Sequence, residues 1–243
     1  MRNTNFPILM YHSINNVPKH TVMRSLHVPP KRFMLQMILL KLLGYRGVSL
    51  TELHHCLLSG NNKKLIGISF DDGYKNNITN ALPILKKLGF TATLYIVSQN
   101  IGNHNTWDSE KGMDEHPMMN EIEINHWIDS GMEIGSHTQT HKNLVICNNK
   151  NLLQEIRQSK IDLEKKFNTP VDHFCYPYGH FNDEIIEITK KSGYITATTT
   201  QRGRSSIKDN LFTLPRVQIT HHTLPHLFLL KILSNYEDRR KNK

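Results

Sequence analysis

Apolar runs of strand length recur seven times along the chain, at Pro7–Tyr11, Leu65–Phe70, Ala92–Val97, Met132–Gly135, His173–Tyr176, Ile195–Thr199 and Phe212–Ile219. Most are rich in Ile, Val, Tyr, Phe or Thr, which suit a buried pleated surface, so each predicts a strand. The segments between them have helical spacing and end on helix stop signals. Lys31–Leu43 runs into Gly44, Asn120–Ser130 into Gly131 and Asn182–Ser192 into Gly193, and Asn149–Phe167 completes the alternation. Asn76–Leu88 stops before Gly89 and carries Pro83, which must kink or divide it. Strands alternating with helices predict an α/β fold with a parallel sheet wrapped by helices, and seven strands favour a closed or nearly closed barrel. Residues 99–118 read as a loop inserted over one mouth.

Composition bounds the rest. At 243 residues and 38% hydrophobic, the chain can bury a core as a single domain spanning 1–243, with the basic segment from about 224 onward as its tail. No run approaches the roughly 18 apolar residues of a membrane span. The apolar stretch near the N-terminus is too short for a signal-peptide core, which makes cytoplasmic location the expectation. Cys56, Cys147 and Cys175 form no C-x-x-C pair and read as reduced thiols. The 30 Lys and Arg against 21 Asp and Glu give +9, mostly as short pairs on solvated helix faces. The tail "EDRRKNK" differs, because it follows the apolar "LPHLFLLKILSNY" and could rest on an anionic membrane surface. Nucleic acid is not favoured, since basic and aromatic residues do not interleave.

In parallel α/β sheets and barrels the chemistry sits at the carboxyl ends of the strands. There this chain places His12, then Asp71 and Asp72, then His137 and His141, then "YPYGH", then Arg216, His221 and His222. His137 and His141, four apart in "SHTQTH", can face one side of a helical turn or tight loop, and with one carboxylate they would form a His₂-Asp metal set with open positions. Imidazole and carboxylate suit zinc, and cobalt, nickel or iron could occupy the same set. The side chains of neighbouring aspartates diverge, so one can bind a metal while the other takes a proton from the water beside it. Alone, Asp-Asp-Gly would mean a turn or a helix cap.

In this order and spacing, "SFDDG" (69–73), "SHTQTH" (136–141) and "YPYG" (176–179) resemble the polysaccharide deacetylases of carbohydrate esterase family 4, the NodB-type homology domain, over about residues 5–220. The resemblance implies a distorted (β/α)7 barrel that removes acetyl groups from sugars. It implies Asp71 as catalytic base, Asp72, His137 and His141 as metal ligands, and the backbone N–H of Tyr178 as an oxyanion donor. Two positions depart from the family pattern. Cys175 stands where the third motif commonly has Arg, and the late Leu-x-His that supplies the acid survives only as "LPH" (224–226). "PILMYHSI" (7–14) is similar to the opening of the poly-N-acetylglucosamine deacetylase branch, which makes His12 the expected acid and His226 the alternative. Arg216, in "LPRV", is the candidate guanidinium for Asp71 or a structural ion pair, while Tyr11, His180, His221 and His222 take no role.

The expected function is therefore metal-dependent N-deacetylation of an amino sugar in a polysaccharide or lipid-linked saccharide. An O-deacetylase or other amide deacylase would use the same residues. A silent carbohydrate-binding relative would lack a ligand or the base, and a 2-His-1-carboxylate iron oxygenase would need an all-β fold.

Overall fold

The computed structural model describes residues 5–59, 64–109 and 112–240. Eight strands form one parallel sheet: β1 (Ile8–Tyr11), β2 (Arg46–Val48), β3 (Leu65–Phe70), β4 (Thr93–Ile96), β5 (Glu133–Ser136), β6 (His173–Cys175), β7 (Thr196–Arg202) and β8 (Leu214–Gln218). Seven of them close into the expected barrel in the order β1-β8-β7-β6-β5-β4-β3, with β1 pairing back onto β3. All six residues of β3 are buried, as a strand covered on both faces requires.

The eighth strand, β2, was not legible in the apolar pattern. Its three residues are Arg-Gly-Val, and a Cβ on Gly47 would stand 2.7 Å from the Phe90 ring, so packing excludes the side chain that would have marked a strand. β3 pairs with β1 along one edge, while its other edge takes β2 at Leu65–Gly67 and then β4 at Ser69–Phe70. The helix that follows β2, α2 (Leu50–Leu58), is likewise not among the expected elements, although Ser59-Gly60 stands after it in the sequence as a stop signal.

The expected helices form with their predicted punctuation. α1 (Pro30–Leu42) gives way to Gly44 at φ 78°, and α4 (Glu121–Asp129) opens with a reciprocal Asn120–Glu123 capping box. Pro83 falls within a continuous helical run: Asn77–Ala81 is wound as a wide π-type turn that leads directly into α3 (Leu82–Leu88), whose first turn takes the proline. The span 149–167 is α5 (Asn149–Leu153) and α6 (Ser159–Phe167) joined by a second π-type turn, Gln154–Gln158. α7 (Asp183–Lys191) is capped by Asn182, with acids in its first turn and lysines in its last, matching the helix dipole. α8 (Pro225–Leu233) buries Phe228 and Ile232.

The tail's first residues turn inward. Glu237 is fully buried and accepts two bonds from Arg202, at 2.7 and 2.9 Å, and one from Lys231. Asp238 pairs with Arg204. The acids that the sequence places beside the basic cluster thus tie the segment to the body; residues 241–243 of that cluster lie outside the described residues. No described helix is long and apolar enough to cross a membrane.

Candidate active site and metal centre

Asp71 and Asp72 leave β3 at the carboxyl end of the barrel, and both are almost completely buried. Their divergence comes from the backbone: Asp72 sits in the left-handed region at φ 74° and Gly73 follows at φ 86°. Asp71 faces Arg216, which rises from β8 and is wholly buried. The guanidinium donates Nη1–H to Oδ1 at 2.6 Å and Nη2–H to Oδ2 at 2.7 Å, a bidentate pair. It also donates to the Ser69 hydroxyl at 3.1 Å and the Cys175 sulfur at 3.2 Å, so Cys175 lies against the guanidinium that the family pattern led one to seek there. Burial alone would raise the Asp71 carboxyl's pKa, but the charge and hydrogen bonds of Arg216 overcome it and hold the group below the ordinary carboxylate value.

Asp72 turns toward the two histidines. Its Oδ1 lies 3.4 Å from His137 Nε2 and 3.3 Å from His141 Nε2. Burial would raise its pKa too, and the two imidazoles more than offset that, leaving it well below the ordinary range. The His137 ring is fixed by its other nitrogen: Nδ1 is 2.7 Å from the Cys175 carbonyl, which can only accept, so Nδ1 carries a proton and Nε2 is the nitrogen turned to Asp72 and left for a cation. His141 lacks such a tether; its buried Nδ1 has no hydrogen-bond partner. Its ring stacks on Trp107 with centroids 4.5 Å apart and meets the edge of Tyr178 at 4.8 Å. Burial draws this imidazole toward its neutral form against the opposing pull of Asp72, as a ligand needs.

These donors fit a divalent cation. Zinc bonds of about 2.0–2.1 Å to N and O in a tetrahedron put neighbouring ligand atoms about 3.3–3.4 Å apart, and both edges to Asp72 have that length. A second cluster, Asp71, His137 and Cys175, also brings donor atoms together. It does not fit a cation, because the Arg216 guanidinium already occupies Asp71 and Cys175.

The other expected residues separate into those at the site and those away from it. His12 lies just past β1, with Nε2 3.8 Å from Asp71 Oδ2. It is held there by the π-type turn after β3: Asn77 donates to the His12 carbonyl at 2.7 Å, and Asn76 and Asn77 both accept from the Ile14 N–H. Tyr178, in the Pro177–Gly179 turn, also adopts a left-handed conformation, at φ 59°. His12, Asp71, Asp72, His137, His141 and Tyr178 line one cavity of about 90 Å³. His226 is exposed on α8 and does not line it. Tyr11 is core, bonded to Gln36, and His221 bonds the His27 carbonyl.

Side chains from the 99–118 stretch, marked by no motif, also reach the site. Trp107, Asp108 and Met113 line the cavity, and Tyr178 donates its hydroxyl to Asp108 at 3.3 Å. Among the described residues, four of the six non-glycine residues with positive φ, Asp72, Thr138, His141 and Tyr178, belong to the three motifs. Each such conformation costs about 1–3 kcal/mol, strain of the kind that clusters at active sites.

The polysaccharide deacetylase family model matches residues 59–197. Over 218 residues, 88% of this chain and 71% of the relative, the sequence is 32% identical to the Bacillus subtilis protein YxkH, itself assigned to the polysaccharide deacetylases. It is 26% identical over 174 residues to the poly-β-1,6-N-acetyl-D-glucosamine N-deacetylase of Staphylococcus aureus, covering 68% of this chain and 58% of that protein. Among solved structures, the Streptococcus pyogenes deacetylase PplD in complex with acetate superposes with a TM-score of 0.81 at 27% identity, covering 94% of this chain and 98% of that one.

Proposed function

The chain belongs to the polysaccharide deacetylase family, and from that premise we propose that it is a metal-dependent hydrolase that removes N-acetyl groups from amino sugars of a polysaccharide. The observation that carries the reading is the pairing of two unlike aspartates: one in a three-donor set whose edges from Asp72 to each histidine are zinc-sized, its neighbour clamped by a buried arginine. Asp72, His137 and His141 are the residues that hold the cation. A divalent ion there, zinc fitting best, supplies Lewis acidity to the acetamide carbonyl and makes water beside it more acidic.

The protein's own groups do the rest. Asp71, kept ionised by Arg216, takes a proton from the attacking water through Oδ2, the oxygen that faces His12. His12 delivers a proton to the departing amine, giving acetate and a free amino sugar. The left-handed turn at Tyr178 offers its backbone N–H to the developing oxyanion. A cavity of about 90 Å³ accepts an acetamido group rather than a whole glycan. The flanking sugars then lie in the adjoining groove of about 480 Å³, which shares Trp107, His141 and Tyr178 as its wall. The relative from Staphylococcus aureus makes poly-N-acetylglucosamine the first substrate to try.

Acetate release from N-acetylglucosamine oligomers and polymer, with and without a chelator, tests the reading. Release that chelation abolishes and zinc or cobalt restores is expected. Cleavage of O-acetyl esters alone would move the assignment to an O-deacetylase, and chelator-resistant release would overturn the metal.

A further inference from the structure

We propose that Glu155 is a positioning residue for the metal centre: its carboxylate holds the His137–His141 loop in the shape that presents His141, so that cation affinity depends on it. This rests on the metal reading above. The loop needs outside support, because Thr138 at φ 68° and His141 at φ 60° are both left-handed, and Thr138 is β-branched, which makes that conformation a true outlier. Such backbone persists only where its surroundings over-determine it.

Glu155 supplies much of that determination. It is 3% exposed, and its Oε2 accepts the backbone N–H groups of both Gln139 and Thr140, at 3.0 and 2.9 Å. Its Oε1 accepts the Thr140 hydroxyl at 2.6 Å, with Lys142 Nζ 3.8 Å away on the solvent side. Two adjacent amides and a hydroxyl converging on one carboxylate form a charge-assisted clamp. The clamp is placed by the π-type turn Gln154–Gln158, the kind of helix irregularity found often at functional sites. Seven residues further along the same helix, Asp162 accepts the Gln139 side-chain amide at 2.7 Å. Ser98 and Gln99 donate backbone N–H groups to the carbonyls of Thr138 and Gln139, completing the frame.

The two histidine ligands make the dependence unequal. His137 has its ring nitrogen tied to a carbonyl, whereas His141 has no such tether, so the location of its Nε2 is set by ring contacts and by the backbone that Glu155 clamps. Partners bonded directly to a ligand typically matter 10–100-fold in metal affinity, which sets the scale for a clamp on the residue next to His141.

The test compares wild type with Glu155→Ala, Glu155→Gln and, as a control for lost stability, Ile156→Val next door in the core. Zinc and cobalt affinities are measured by chelator competition, the cobalt visible spectrum is recorded, and amide hydrogen exchange is followed at Gln139 and Thr140 in the metal-free protein. Glu155→Ala should weaken both cations about 10–100-fold, alter the cobalt spectrum and speed exchange at the two amides. Glu155→Gln keeps an oxygen for the amides and should stay near wild type, and Ile156→Val should unfold earlier yet bind normally. If Glu155→Ala does not fold, Glu155→Asp, one methylene short of the amides, carries the same expectation. Wild-type affinity and spectrum in the folded variants would overturn the role of Glu155. Failure of the wild type itself to bind either cation would instead overturn the metal reading, and this inference with it.

Discussion

Strand β5 carries a carboxylate–imidazole cluster at each of its ends, and the two are built to opposite rules. At its amino end, Glu133 accepts the Thr51 N–H at 3.0 Å and the Thr93 hydroxyl at 2.7 Å. His173 beside it, fully buried, uses both ring nitrogens, one on Thr51 Oγ1 at 2.9 Å and the other on Thr196 Oγ1 at 2.7 Å. Every one of those groups has its partner, so nothing remains for a ligand. At the carboxyl end, His137 and His141 aim nitrogens at Asp72, His141 keeps a buried nitrogen without a partner, and a cavity opens over them. The same residue types therefore make a structural knot at one end and a candidate reaction centre at the other. What distinguishes them is whether the surroundings complete the hydrogen bonding.

The sharpest way to break this comparison is at the aspartate pair. Asp71→Asn should retain stoichiometric zinc while deacetylation falls about 10²–10⁴-fold, the contribution of a general base. Asp72→Asn should lose the metal itself. Metal analysis alongside acetate release checks both, and the reverse pattern would exchange the two roles.

A smaller effect, of a different kind, belongs to the amino end. Glu133→Ala strands the Thr51 and Thr93 donors in a partly buried site and should cost about 1–2 kcal/mol in denaturant unfolding, with metal content unchanged. Lost metal in a folded Glu133→Ala protein would mean the two ends are not independent.

The smallest effect is a pH dependence. Burial holds the His173 pKa below its ordinary value against the opposing pull of Glu133. As pH falls below about 6.5, the unfolded chain takes up a proton that the fold refuses, so the stabilisation present above that pH is lost toward the lower, folded pKa. The slope is at most about 1.4 kcal/mol per pH unit for one proton, and His173→Gln should remove that increment from unfolding curves compared between pH 7 and 5.

Much of this was readable in the sequence because it is written in local patterns. The seven barrel strands are contiguous apolar runs, and Asp71, Asp72, His137 and His141 stand at strand ends within short motifs. β2 was hidden because Gly47 yields its side-chain volume to Phe90, a neighbour distant in the chain. Glu155 and Trp107 were hidden for a related reason: nothing near them in sequence shows that one clamps two amides of the histidine loop and the other stacks on His141. His173 shows the converse. Lying at the start of a strand rather than at its carboxyl end, it draws no reactive reading from the sequence, and the two threonines that satisfy its ring supply the reason.

The bond between Asp71 and Arg216 joins residues 145 positions apart, and β1 completes the barrel only by pairing with both β3 and β8. During synthesis from the amino end, Asp71 thus emerges long before the cation that makes its burial tolerable. Asp71 has to wait, hydrated, and β1 with one edge unpaired, until β8 has left the ribosome. Closure of the ring and maturation of the reaction centre are then a single late event, so partly made chains should carry no active site at all.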